Sequence, residues 1–258
     1  MTAVALTIAG SDPSGGAGLQ ADLKTFHRFG VYGEAVVTLL TVQNTQRVSR
    51  VDTLAPEIVL QQLQAVLEDI PPHAAKTGAL GSAAMVEAIA NAASAFAFPL
   101  IVDPVMISKH GARLIDANAT RALMERLIPR AFLLMPNLEE ASALVGFPVN
   151  DPPSMIRAAR VLADLGARNV LVKGGHLTGD ALDILYMEDH AVHEFAAPRV
   201  ATPHTHGSGC TYSAAITAEL AKGTALLAAV TLAKRFVTDA IRTAPGLGGG
   251  NGPLNHFA

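Results

Sequence analysis

The chain has 258 residues, half of them hydrophobic, with 16% charged and a formal net charge of −3. That balance excludes a solvated disordered coil and a basic nucleic-acid footprint, and a single cysteine, Cys210, excludes a disulfide scaffold. With no apolar run near the roughly 18 residues of a membrane span and no basic leader ahead of the first apolar residues, the expectation is a soluble cytoplasmic protein. One domain is expected over residues 1–258.

Residues 4–9 are almost unbroken apolar, as in a strand covered on both faces. A loop rich in glycine follows at 10–18. Leu19, Leu23 and Phe26 then recur at helical spacing, and Gly30 ends that helix. Further strand material runs through 31–42. Pro56 opens a helix over 57–68, whose Ile58, Leu60, Leu63 and Leu67 form its packing face. Apolar runs at 100–102, 132–135 and 170–172 read as three more strands. Helices are expected near 117–127, 154–165, 209–221 and 226–242, and a hairpin from 182–185 and 191–195. Such alternation predicts a mostly parallel sheet between helix layers.

In such sheets, ligands bind beyond the carboxyl ends of the strands. Three runs end on polar residues there: Asp103, Asn137 and Lys173. Each of the first two, taken alone, reads equally well as a helix cap. Their shared location is what points to a site.

The standard nucleotide fingerprints are missing. Gly15 is followed by Gly16 rather than Lys, and neither Gly16–Gly18 nor Gly207–Gly209 is completed by a third glycine. The strongest local signal is Thr205-His206-Gly207-Ser208-Gly209-Cys210-Thr211, ahead of a helix rich in Ala and Ile. Its small residues let backbone N–H groups converge on an anion at a helix start. Cys210 would lie in the first turn, where a thiolate is favoured. The alternative is a glycine-rich cap with an inert cysteine. A zinc reading of His204, His206 and Cys210 is disfavoured by cramped spacing. The loop 10–18 holds four glycines, which allow close backbone approach to a small molecule. Gln43, in Thr41-Val42-Gln43-Asn44-Thr45, offers both donor and acceptor. It suits an aminopyrimidine edge, or else bonds local backbone.

Together and in this order, these segments resemble the hydroxymethylpyrimidine/phosphomethylpyrimidine kinases of thiamin biosynthesis, within the ribokinase-like superfamily. The matching pieces also include Lys76-Thr77-Gly78, Val102-Asp103-Pro104-Val105-Met106, Pro136-Asn137-x-x-Glu140, Val172-Lys173-Gly174-Gly175-His176 and Gly252-Pro253-Leu254-Asn255-His256. The resemblance implies a ribokinase-like three-layer α/β/α sandwich with a mostly parallel central sheet. It implies ATP- and Mg²⁺-dependent phosphorylation of 4-amino-5-hydroxymethyl-2-methylpyrimidine and then of its monophosphate, by a homodimer.

Carried onto this sequence, the resemblance implies that Gln43 binds the pyrimidine edge and that Asp22 and Gly10 line the same pocket. Val42, Ala79 and Val105 would supply apolar contact. The amides of Gly207, Ser208 and Gly209 would form the anion hole. Asn137 and Glu140, with help from Asp103, would hold Mg²⁺ largely through water, and Lys173 would neutralise transferred phosphate. Cys210, with a pKa lowered toward neutrality, would accept the alcohol proton. This sequence departs from the usual pattern at Ser208, at Pro203-His204, at Ala79 and at Ser108-Lys109-His110. A pyridoxal or pyridoxine kinase on the same fold is the alternative, since Ala79 leaves room for a bulkier ring. A catalytically silent pyrimidine sensor is a third reading.

Overall fold

The computed structural model describes residues 2–106, 115–175, 177 and 179–258. His176 and the 108–110 departure therefore lie outside the described residues.

The first apolar run forms β1 (Val4–Ser11), buried along nearly its whole length. It is followed by α1 (Gly18–Arg28), β2 (Tyr32–Gln43), β3 (Val48–Thr53), α2 (Pro56–Asp69), β4 (Ala74–Thr77), α3 (Ala83–Ala93) and β5 (Leu100–Val102). Next comes α4 (Ala117–Ala122), which runs on through a π-helical turn at Leu123–Leu127 and a 3-10 turn at Ile128–Arg130. The remaining elements are β6 (Leu133–Leu134), α5 (Leu138–Val145), α6 (Pro152–Asp164), β7 (Val170–Gly174), β8 (Ala181–Tyr186), β9 (Val192–Ala197), α7 (Ser208–Ala221) and α8 (Leu226–Arg242). Gly30, at φ +70°, stops α1 as expected, because a Cβ disfavours that conformation.

Among the described residues, the strands form one nine-stranded sheet in the order β3-β2-β1-β4-β5-β6-β7-β8-β9. Strands β2, β1, β4, β5, β6 and β7 run parallel; β3 at one edge is antiparallel to β2, and at the other edge β8 is antiparallel to β7 while β9, antiparallel to β8, runs with the parallel set again. The late hairpin is thus where the sequence predicts it. Helices cover both faces. On one face, Val59, Met85, Ile89, Leu144 and Leu162 pack against Leu6, Ile8, Val102 and Leu134. On the other, α1, α7 and α8 pack against Ala5, Ile101, Leu133 and Leu171. Adjacent strand residues such as Ile101 and Val102 enter opposite layers, following the two-residue period of a strand. This is the expected ribokinase-like sandwich.

Candidate active site

A cavity of about 700 Å³ opens over the carboxyl ends of the parallel strands. Its walls come from the ends of β1, β2, β4, β5 and β7, the loop before α5 and the start of α7. Of the residues singled out from the sequence, Gly10, Asp22, Gln43, Ala79, Asp103, Val105, Asn137, Glu140, Lys173, Gly207, Ser208, Gly209 and Cys210 all line it.

Val42 does not. It is 54% exposed, and the strand period explains why. Leu39, Thr41 and Gln43 line the cavity at two-residue intervals, so Val42 faces the opposite side of β2.

Two loops form the floor. Gly207, at φ +80°, is the N-cap of α7 and supplies no capping side chain. A Cβ there would stand 1.8 Å from the carbonyl oxygen of Gly16, so the two glycine loops dock backbone to backbone. The first-turn amides of a helix have no acceptor within it, which suits Gly209 and Cys210 to an anion. Ser208 differs, because its amide already donates to the carbonyl of Thr205 at 3.2 Å.

Cys210 departs from expectation in its acidity. Burial pushes the thiol up to about 11, against the pull of Lys76 and of the Gly18 amide, while Asp22 and Asp103 push the same way as burial. Desolvation outweighs the helix start here. At neutral pH the sulfur therefore carries its proton.

Asp22 reaches the cavity wall, and both of its carboxylate oxygens are also engaged inside the protein. One pairs with Lys76 Nζ at 2.8 Å and the other accepts from the Thr7 hydroxyl at 2.6 Å. In the sequence Lys76 stands out only as part of a motif. A lysine in the apolar strand context Ala74-Ala75-Lys76-Thr77 is nonetheless a readable signal, since a buried ammonium needs a partner.

Asp103, just past the end of β5, and Lys173, on β7, reach across the end of the intervening β6 and pair at 2.7 Å. The Ser213 hydroxyl also donates to Asp103. Burial works against the charge on Lys173, but Asp103 and Glu140 outweigh it and hold the ammonium above the ordinary lysine range. Asn137 is the N-cap of α5. Its side chain accepts from the Glu140 amide, and the Glu140 carboxylate accepts from the Asn137 amide, a reciprocal capping box. So Asn137 is a cap, and through that cap it aims Glu140. Burial first, and then nearby Asp103, raise the Glu140 carboxyl to about 7, against the pull of Lys173.

Among the described residues, no group of three or more His, Cys, Asp or Glu is arranged to cage a metal. This also disposes of the zinc reading there, and His206 instead faces Asp12 at 2.8 Å. Mg²⁺ seldom needs such a cage, because it keeps waters and binds through one or two carboxylates plus substrate phosphates. Asp103 and Glu140, two carboxylates on the same cavity wall and close enough that Asp103 raises the Glu140 carboxyl, fit that pattern.

Sequence reasoning misses Asp12, weighs His206 only as a zinc ligand, and misses Lys234, which pairs with Asp183 at 2.6 Å on the far wall. Beside that pair the cavity is lined by Val200, Thr202, Val237, Thr238 and Ile241.

The sequence pattern that defines the phosphomethylpyrimidine kinase family matches residues 12–255. The thiamine biosynthesis bifunctional protein ThiED of Geobacter sulfurreducens is 51% identical over 254 residues, which are 98% of this chain and 52% of that protein. The chain thus spans about half the length of that relative. The hydroxymethylpyrimidine/phosphomethylpyrimidine kinase of Synechococcus elongatus is 48% identical over 255 residues, covering 98% of this chain and 97% of that one. Among solved structures, an ADP complex of Bacillus subtilis pyridoxal kinase superposes with a TM-score of 0.90 at 38% identity, covering 99% of this chain and 98% of the other.

Proposed function

Because the chain belongs to the phosphomethylpyrimidine kinase family, we propose that its cavity transfers phosphate from ATP to hydroxymethylpyrimidine and then to the monophosphate, in thiamin biosynthesis. The observation that carries this is the placement of Gln43, Cys210 and the uncapped start of α7 around one cavity with Asp103 and Lys173. Phosphoryl transfer asks chiefly for alignment and charge neutralisation. The cavity offers both.

The pyrimidine edge lies against Gln43, with Ala79 and Val105 on its apolar sides. Its hydroxymethyl group points to the sulfur of Cys210. The γ-phosphoryl group of ATP rests at the start of α7, where the amides of Gly207, Gly209 and Cys210 face its oxygens. The Ser208 amide is a poorer donor, being shared with Thr205. The nucleobase takes the wall of Val200, Val237 and Ile241. Lys173 draws off charge from the migrating group. Cys210 holds the hydroxyl in line as a neutral hydrogen-bonding partner. It does so without being a resting thiolate: in a loose transition state the alcohol O–H bond breaks late, its proton passing to an oxygen of the phosphoryl group as ADP leaves. Asp103 and Glu140 would hold Mg²⁺, which would supply neutralisation of phosphate charge.

We read residues 1–258 as one domain, a reading supported by one sheet running through the described residues. Among the described residues, no helix is long and apolar enough to cross a membrane. A cytoplasmic homodimer is the assembly we propose. The pyridoxal kinase reading is supported by structural likeness, such as the TM-score of 0.90 to the Bacillus subtilis enzyme.

A substrate panel separates the two. With ATP and Mg²⁺, ADP should be released with the hydroxymethylpyrimidine and again with its monophosphate. Turnover of pyridoxal with neither pyrimidine consumed would reverse the assignment.

A further inference from the structure

Three side chains from distant parts of the chain meet at one wall of the cavity. His206 Nε2 lies 2.8 Å from Asp12 Oδ2 and 3.2 Å from the terminal amide of Gln43. Asp12 and His206 are both buried. Asp12 is held in turn by the amide and hydroxyl of Ser14 on one oxygen and by the amide of Ala17 on the other. The His206 ring packs closely against the glycine loop, since a Cβ on Gly16 would stand 2.6 Å from its Cδ2. Neither partner can drift.

The protons in this chain are fixed by elimination. Burial disfavours the Asp12 carboxylate, but hydrogen bonds from His206 and Ser14 outweigh it and hold the acid below its ordinary range. At neutral pH Asp12 is thus ionised and has only lone pairs to offer. Facing it at 2.8 Å, His206 Nε2 must carry hydrogen, in the neutral tautomer and the imidazolium alike. A protonated Nε2 has no lone pair for an amide N–H. The Gln43 atom turned to His206 is therefore its oxygen, reached by a half-turn of the terminal amide. The NH₂ group then takes the other side, toward the cavity that Gln43 lines.

We infer that Asp12 and His206 are positioning residues that set the polarity of the Gln43 amide, so that the cavity presents a donor to the ring edge. The ring atom opposite must be an acceptor. A 4-aminopyrimidine offers an unprotonated ring nitrogen beside its amine. The corresponding 4-oxo ring carries an N–H there, so two donors would collide. The chain of three residues thus selects 4-aminopyrimidines against their deaminated counterparts. This rests on the proposal above that Gln43 meets the ring.

The experiment is calorimetric titration of 4-amino-5-hydroxymethyl-2-methylpyrimidine and its 4-oxo analogue. The proteins are the unaltered enzyme, Gln43→Ala, His206→Ala, Asp12→Asn and the Gln43→Ala/His206→Ala double variant. The unaltered enzyme should favour the amine by tenfold or more, the scale set by a mismatched buried donor. His206→Ala should reduce that preference to the level of Gln43→Ala, and the double variant should lose nothing further, because the two act as one unit. Asp12→Asn is nearly isosteric and lets the chain reverse, so it should show the same loss of preference and stands in should His206→Ala fold poorly. Preference lost in Gln43→Ala but retained in His206→Ala and Asp12→Asn would overturn the inference, as would an additive loss in the double variant. Full preference in Gln43→Ala would instead overturn the placement of Gln43 itself.

Discussion

Lys76 and Asp22 form an ion pair of 2.8 Å in which neither side chain exposes any surface. The pair lies where β4 and α1 meet, and Lys76 is near enough to Cys210 that each shifts the other's proton affinity. A charge left behind in such a place is costly. Removing one partner of a buried pair typically costs about 3–5 kcal/mol. Lys76→Met should therefore lower unfolding free energy by about that amount. The double variant Lys76→Met/Asp22→Leu should recover much of it, since no lone charge remains. Urea denaturation followed by circular dichroism reads both. Equal losses in the single and double variants would show that the pair is not what holds this junction.

The Cys210 thiol, pushed up to about 11 by burial, gives a second expectation. An unfolded thiol ionises near 9, the usual value. Between those two pH values the folded protein keeps a proton that the unfolded chain has lost, so this residue makes stability fall as pH rises through that window. Below it, the group contributes no pH dependence. Alkylation of folded enzyme by iodoacetamide should be slow at pH 7.5 and accelerate only above about pH 10. Cys210→Ser should retain more kcat than Cys210→Ala, because a neutral hydroxyl can also orient the substrate. Rapid alkylation at neutral pH would restore the thiolate role.

Residues 4–9, 100–102 and 170–172 were legible as strands because both faces of the sheet are covered, which leaves nearly continuous apolar runs. Strand β3 was not. Its sequence, VSRVDT, lies at the sheet edge and is largely exposed, so no burial pattern marks it. Strand β4 was hidden by Lys76, whose partner Asp22 lies 54 residues away. Most of the cavity lining could be read because strand ends and glycine loops carry it. Val42 was misplaced by ignoring the period of two that Gln43 already imposed. The acidity of Cys210 was misjudged because position on a helix is visible in sequence, whereas depth of burial is not. The contact between Asp12 and His206 escaped notice because 194 residues separate the two.

Glu34 predicts a pH-dependent gain away from the cavity. It is 9% exposed, and its Oε2 has no hydrogen-bond partner among the described residues. Burial first, and Asp69 second, raise its carboxyl to about 7, whereas the unfolded value is near 4.5. Below the lower value both states are protonated and the residue is neutral to stability. Between the two, the folded state holds a proton the unfolded chain has released, so stability falls as pH rises. Above about 7 the penalty is complete. Glu34→Gln should thus stabilise the protein by about 1 kcal/mol at pH 8, the scale of a buried unsatisfied polar group, and change little at pH 4. A gain of equal size at both pH values would mean that ionisation is not the cause.

The two glycines that flank Ser208 should separate folding from catalysis. At Gly207 the backbone sits at φ +80°, and a Cβ would collide with the Gly16 carbonyl at 1.8 Å. Gly207→Ala should force the two loops apart and lower thermal stability and activity together. At Gly209 the helix geometry is ordinary, and a Cβ would rest 3.4 Å from Lys173 Nζ and 3.7 Å from Asp103 Oδ2. That is room enough for folding, but the methyl group would occupy the space where phosphoryl oxygens meet the amides. Gly209→Ala should therefore keep its melting temperature within about 4 °C, a shift of no more than roughly 1–2 kcal/mol for a chain of this size. Its kcat should fall by roughly 100-fold, the loss typical of removing one preorganised donor from a developing anion. Melting curves and steady-state ADP release on the two variants, side by side, make the comparison. Near-normal kcat in Gly209→Ala would move the phosphoryl group away from the start of α7.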